Sequence, residues 1–333
     1  MKSWPRLAGL WLIVALFAPA WPCVAAAQPM LLVQDDLADL RPNEVTGQTW
    51  ATTSRADLQG QFCAARSGTP TRLALVSHAL SRRQRDDRAA AKDGKLVEAL
   101  IGRRAVIAMT SGANFALTPE LLYRALVRDV AAPDGEFIAN RVARWRDLDA
   151  SLPDAPIRIL LPPSGSIESR IVSDVILYEG CAMRAGAMLP ADPLKRMAIC
   201  TTLRTDNAVT HAADRPTVTA WLRGQGNAAL ALVGVAVLLA EPDLETALPL
   251  DGVTPSFANI ADGRYRAALP VYLLTVISPE TARTVAGIAG PLLAEATIGP
   301  LGKLPRRGLA PLAAADRVKL RVSLGREFEN AAD

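Results

Sequence analysis

Histidine is nearly absent: two residues, His78 and His211, serve a chain of 333. That leaves little material for a histidine-built metal centre or a serine–histidine relay. The chain also lacks a P-loop, a G-x-G-x-x-G fingerprint and a G-x-S-x-G elbow. Nucleotide chemistry and serine hydrolysis therefore have no support, and an enzyme is not expected. No C-x-x-C spacing occurs among the four cysteines, so neither a metal nor a cofactor is expected. An excess of one charge is missing too. The formal net charge is +4 and falls to +2 once Lys2 and Arg6 are set aside, so nucleic acid is not an expected partner.

The N-terminus carries Lys2 and Arg6, an apolar run from Leu7 to Ala18, and Ala25-Ala26-Ala27 before Gln28. This order is that of a cleavable secretory signal peptide over residues 1–27, which implies export to the periplasm. A membrane anchor needs about 20 apolar residues, and Pro19 and Pro22 interrupt the run. Cys23 is a second alternative, as a lipid-carrying cysteine, although Trp21 and Pro22 precede it in place of small residues. About 306 residues follow the cleavage point, enough for two lobes or one large core. Three cysteines remain, and an oxidising compartment favours pairing. Cys181 and Cys200 flank a loop with Gly186, Pro190 and Pro193, and a disulfide between them would contribute about 3 kcal/mol by loop closure. Cys63 is then left over, as a buried free thiol.

Short apolar runs alternate with helical patterns, which points to an α/β fold with parallel strands covered by helices. Strands are expected at Arg72–Val76, Arg104–Met109, Ile157–Leu161, Leu230–Leu239 and Ala268–Val276. Thr118-Pro119-Glu120 marks a helix start, with Leu121, Leu122, Ala125 and Leu126 on one face. Ser166 begins a second helix carrying Ile167, Ile171, Val172, Val175 and Ile176.

Three places offer hydroxyls where an anion could sit. Ser164-Gly165-Ser166 follows a strand and precedes a helix, so free backbone N–H groups and the helix dipole point at one spot. An ordinary N-cap accounts for the same serine. Thr53 and Ser54, with Thr52, precede Leu58 and Phe62 at another helix start, where a simple cap again suffices. Ser77 directly follows a strand, at the end where α/β sheets bind ligands; a turn serine is the alternative.

Taken in order, the segments resemble the phosphate-binding proteins of ABC transporters (PstS-like), which have the type 2 periplasmic binding protein fold. Leu250–Val276 (LDGVTPSFANIADGRYRAALPVYLLTV) is similar to that family's "dGV-P-tfeNI-dG-YplsRPlYlyv" segment. Gly252, Pro255, Asn259, Ile260, Gly263, Tyr265, Pro270 and Tyr272 fall in register. Leu73–Leu80, Leu117–Leu126, the Ser164-Gly165-Ser166 turn and Gly299–Leu312 add to the likeness, and Cys181 and Cys200 resemble a subgroup with cysteines at like positions. The resemblance covers about residues 47–322. It implies two α/β lobes joined by two crossing segments, 28–112 with 262–333 as lobe one and 113–261 as lobe two. It further implies phosphate or another small oxyanion held between them by Thr53, Ser54, Ser77, Ser164, Gly165 and Ser166, an ABC permease as partner, and a monomer. The chain departs from the family where Met30–Asp36 (MLLVQDD) replaces a strand and glycine-serine-threonine loop. Leu160-Leu161-Pro162-Pro163 stands where an arginine is common, and His78 replaces a charged residue. Each donor lost this way costs a bound anion about 1 to 3 kcal/mol. An envelope interaction or sensory protein without small-ligand transport is the second reading.

Overall fold

The computed structural model of the chain describes residues 30–58, 72–90, 94–132, 136–211, 217–237 and 247–332. The expected signal peptide and Cys63 lie outside them. β1 (Met30–Gln34), β2 (Ala51–Thr53) and β3 (Arg72–Val76) are parallel neighbours. Their apolar runs bury side chains on both faces: Leu31, Val33, Leu73 and Leu75 join the main core, while Leu32, Ala74 and Val76 join a smaller cluster with Leu274. β4 (Lys95–Thr110) is the longest strand described, at 16 residues. β5 (Asp129–Ala131) and β6 (Phe137–Ala139) form a separate antiparallel ribbon. β7 (Ile159–Leu161) lies parallel between β8 (Val209–His211) and β9 (Leu230–Gly234). β10 (Ala247–Leu248), β11 (Ala268–Ile277) and β12 (Ala310–Pro311) each run antiparallel to β4. One ten-stranded sheet results, in the order β2-β1-β3-β11-β4-β9-β7-β8, with β10 and β12 also paired to β4.

β4 ties two halves of this sheet together. Its residues 95–105 pair with β11 and its residues 106–110 with β9. The returning chain lies beside the changeover, because Val106 N–H donates to Ala267 O at 2.9 Å and the Tyr265 hydroxyl donates to Val106 O at 3.0 Å. Tyr265 is buried, so this bond satisfies a hydroxyl that water does not reach.

The expectation of parallel strands holds for only part of the sheet. Both neighbours of β4 on the main path, β11 and β9, run against it. The strand expected at Arg104–Met109 begins nine residues earlier, at Lys95. Lys95, Glu98 and Arg103 break the apolar run there, and the stretch is only half buried. The strand expected to reach Leu239 stops at Gly234, where Val235 and Ala236 turn; that expected from Ile157 begins at Ile159, since Ile157 N–H bonds Ala143 O at 2.9 Å instead.

Helices cover the sheet. α1 (Pro119–Leu126) begins as its sequence implies, with the Thr118 hydroxyl accepting from Leu121 N–H at 3.0 Å. α2 (Ile167–Ile171) runs through a π-helical stretch, Val172–Leu177, into α3 (Tyr178–Ala185). Gly180 lets α3 approach α1: a Cβ there would lie 2.2 Å from the Pro119 carbonyl oxygen. α4 (Pro193–Thr201) is fastened to α3 by the Cys181–Cys200 disulfide, with Cα atoms 5.5 Å apart and both residues buried. α5 (Ala282–Leu293) and α6 (Ala314–Ala332) pack against each other. No helix among the described residues is long and apolar enough to cross a membrane.

Candidate functional site

The segments that follow the C-terminal ends of β1 and β7 both line a cavity of about 480 Å³. That volume falls within the usual range for small-ligand sites. Asp35, Asp36 and Asp39 contribute from the turn after β1, and Pro162, Pro163, Gly165, Ser166 and Glu168 from the segment after β7. Leu232, Val233 and Gly234 of β9 supply an apolar wall, and Arg104 of β4 lies at the changeover between the halves. Apolar and charged side chains share the walls.

Several of those charged groups form ion pairs. Arg104 is 1 % exposed. Its Nη1 donates to Asp39 Oδ2 at 2.9 Å and to Arg307 O at 2.6 Å, and its Nη2 donates to Glu168 Oε1. Burial alone would lower the guanidinium's pKa, but the Glu168 and Asp39 carboxylates outweigh it and hold it raised. Gly234 makes room for this pair, since a Cβ there would stand 2.7 Å from Glu168 Oε1.

A second bridge joins the turn after β1 to α2. Arg170 Nη1 donates to Asp36 Oδ2, which also accepts from the Ser77 hydroxyl at 3.1 Å. Ser77 Oγ in turn accepts from Gln34 Nε2 at 2.9 Å, and Ser77 N–H donates to Gln34 Oε1 at 3.3 Å. Burial pushes the Asp36 carboxyl above the usual range, against the pull of Arg170 and of the Ser77 bond. His78 follows in the same turn. Its ring nitrogens are buried with no hydrogen-bond partner among the described residues, and burial, with the Arg55 and Arg170 charges, pushes its pKa down to about 4.

The six hydroxyl and glycine candidates are distributed unevenly around this arrangement. Gly165 and Ser166 line the cavity, and Ser77 stands directly behind Asp36. Gly165 has φ +79°, a conformation that favours glycine. Ser166 is occupied as the α2 cap: its Oγ accepts from Ser169 N–H at 3.1 Å and donates to Pro163 O at 2.7 Å. Thr53 ends β2 in register with Gln34, and Ser54 donates to Asp57 Oδ2 at 2.7 Å; neither borders the cavity. Ser164 is exposed in the turn. Sequence reasoning missed Asp36, Arg104, Glu168 and Arg170. The only local signal was the Gln34-Asp35-Asp36 stretch, whose carboxylates stand where small hydroxyl residues were expected. His211, at the end of β8, is exposed, and its Nδ1 lies 3.0 Å from Pro162 O. Among the described residues no cluster of histidine, cysteine or acidic side chains could hold a metal ion.

No family model and no curated protein matches the chain. Solved structures do. A possible phosphate binding protein from Planctomyces limnophilus superposes with a TM-score of 0.65 at 16 % identity, covering 90 % of this chain and 98 % of that one. PstS from Borrelia burgdorferi gives 0.54 at 13 %, covering 86 % and 100 %. A phosphate-binding protein from Stenotrophomonas maltophilia gives 0.52 at 13 %, covering 89 % and 94 %. At such identities the likeness establishes the fold alone: the chain has the α/β, two-lobed periplasmic binding protein architecture, PstS-like in form.

Proposed function

We propose that the chain is a solute-binding protein of the cell envelope, exported to the periplasm, which clasps a small oxyanion between its lobes and delivers it to an ABC permease. One observation carries this reading: a cavity of ligand size opens between strand ends in both halves of a binding-protein fold. Residues 28–112 with 262–333 form one lobe and 113–261 the other, and hinge closure about β4 and the returning segment traps the solute. Ser77, Gly165 and Ser166 are its contacts at the cavity, with Thr53, Ser54 and Ser164 at the margins and Arg170 supplying positive charge. The protein acts as a monomer without a cofactor and catalyses no reaction.

The test is thermal melting against phosphate, sulfate, molybdate and phosphonates. A ligand that binds only the folded chain stabilises it by about 2.7 kcal/mol at a hundred times its dissociation constant. A rise with one of these anions supports the reading and identifies the class; no rise with any of them removes it.

A second reading, an envelope interaction protein, draws on exposed apolar side chains along the disulfide-linked pair α3 and α4. Met183, Met188, Leu194 and Met197 are all exposed there, and methionine-rich surfaces suit protein partners. Absence of any protein from pull-downs with envelope extract would count against it.

A further inference from the structure

The groups that would grip an entering anion are already gripping one. Ser77 is 1 % exposed, and its hydroxyl donates to Asp36 Oδ2 at 3.1 Å. Arg170, reaching over from the other half, donates to the same oxygen. A hydroxyl and a guanidinium converging on one carboxylate oxygen is the arrangement that holds a bound carboxylate or phosphate. Here the carboxylate belongs to the chain. It borders the cavity beside Gly165 and Ser166 and is 8 % exposed.

Asp36 Oδ1 is buried with no hydrogen-bond partner among the described residues, so part of this carboxylate's hydrogen-bonding capacity is unused. Asp39 and Glu168, both bound by Arg104, already connect the same two segments, so the lobes have a bridge without Asp36. Arg170 also has a second carboxylate at hand, with Nε 3.4 Å from Asp174 Oδ2, although no hydrogen bond joins them. Removing Asp36 therefore leaves the guanidinium one ion-pair partner. Asp35, next in sequence, adds a further negative charge at the cavity, which disfavours a second anion while Asp36 is in place.

We propose that Asp36 is a tethered anion, holding Ser77 and Arg170 as a free oxyanion would, so that any anion entering the cavity must displace it. The identity of the entering ligand rests on the oxyanion reading above; the occupation of its position does not. Affinity for external anions is then set by competition with this side chain, and ligands able to push it aside are selected over those that cannot.

The experiment compares wild type with Asp36→Ala and Asp36→Asn by calorimetry and thermal melting at neutral pH, with formate, acetate and inorganic phosphate as probes. Acetate is the side chain that Asp36→Ala removes. Asp36→Ala should bind formate and acetate where wild type does not, and phosphate at least about tenfold more tightly, the equivalent of one charge-assisted hydrogen bond regained. Adding Ser77→Ala to it should erase the gain. Asp36→Asn keeps the shape without the charge and should also tighten phosphate, which keeps the test open should the alanine variant fail to fold. If wild type binds phosphate as tightly as both variants and neither responds to carboxylates, the tethered-anion proposal falls while oxyanion binding stands. If carboxylates bind Asp36→Ala in a Ser77-dependent way but phosphate never does, the proposal stands and the phosphate reading falls. If no protein responds to any probe, both fall.

Discussion

Replacing Arg104 with methionine tests whether the cation at the changeover of β4 holds the two halves together. The substitution keeps an unbranched, apolar stem and removes the charge. Three acceptors lose their donor: Asp39 Oδ2, Arg307 O and Glu168 Oε1. They are not equal. The Asp39 side chain is 45 % exposed, so water replaces the guanidinium there at a cost of about 1 kcal/mol or less. Glu168 is 7 % exposed, and stripping one partner from a buried pair costs about 3 to 5 kcal/mol. The expected loss is therefore about 4 kcal/mol, which in a chain of this size lowers the melting temperature by about 6 °C. Urea unfolding followed by circular dichroism is the assay. Adding Glu168→Gln should return more than half of the loss, because a neutral amide needs no counterion. A single variant within about 1 kcal/mol of wild type, or a double variant no more stable than the single one, would refute the reasoning.

Other expectations follow from single features. Replacing Cys181 and Cys200 together with alanine opens the link between α3 and α4 and should cost about 3 kcal/mol in urea unfolding, with reducing agent producing the same loss in wild type. His78 should titrate near pH 4 by NMR of its ring protons. Since that value is depressed, the neutral ring's contribution is complete above about pH 6.5 and lost as pH falls through 4; partial solvent access limits it to about 1 to 2 kcal/mol, and a midpoint near 6.5 would contradict the burial of the ring nitrogens. Gly180→Ala drives a methyl group into the Pro119 carbonyl and should destabilise by about 1 to 3 kcal/mol. Gly287→Ala, inside α5 with nothing within 4 Å among the described residues, should instead stabilise by up to about 1 kcal/mol, and calorimetry of both distinguishes steric conflict from a general helix effect.

What the sequence determined alone was whatever depends on near neighbours. Arg72–Val76 is a strand because five residues carry an apolar run long enough to be covered on both faces, and Thr118 and Ser166 cap helices because their hydroxyls need only reach an N–H three residues on. The Cys181–Cys200 pair is of the same kind, 19 residues apart across a single loop. β4 already exceeds this reach: Lys95, Glu98 and Arg103 do not look like a buried strand, and they are carried as one only because β11 pairs along the whole stretch. The ends of the Ile157 and Leu230 strands were likewise decided by which carbonyl, ladder or turn took each N–H. The site was decided by tertiary structure almost entirely. Arg170 meets Asp36 across 134 residues, and Arg104 meets Glu168 across 64. Neither pairing has a local period or spacing to betray it. Ser77 could be suspected from its place at a strand end, but that its hydroxyl would face a carboxylate of the same chain followed only from the register of β1 against β3. Local hydrogen bonds and apolar periodicity are written in consecutive residues, whereas a charge finds its partner only after the sheet has set which loops face each other.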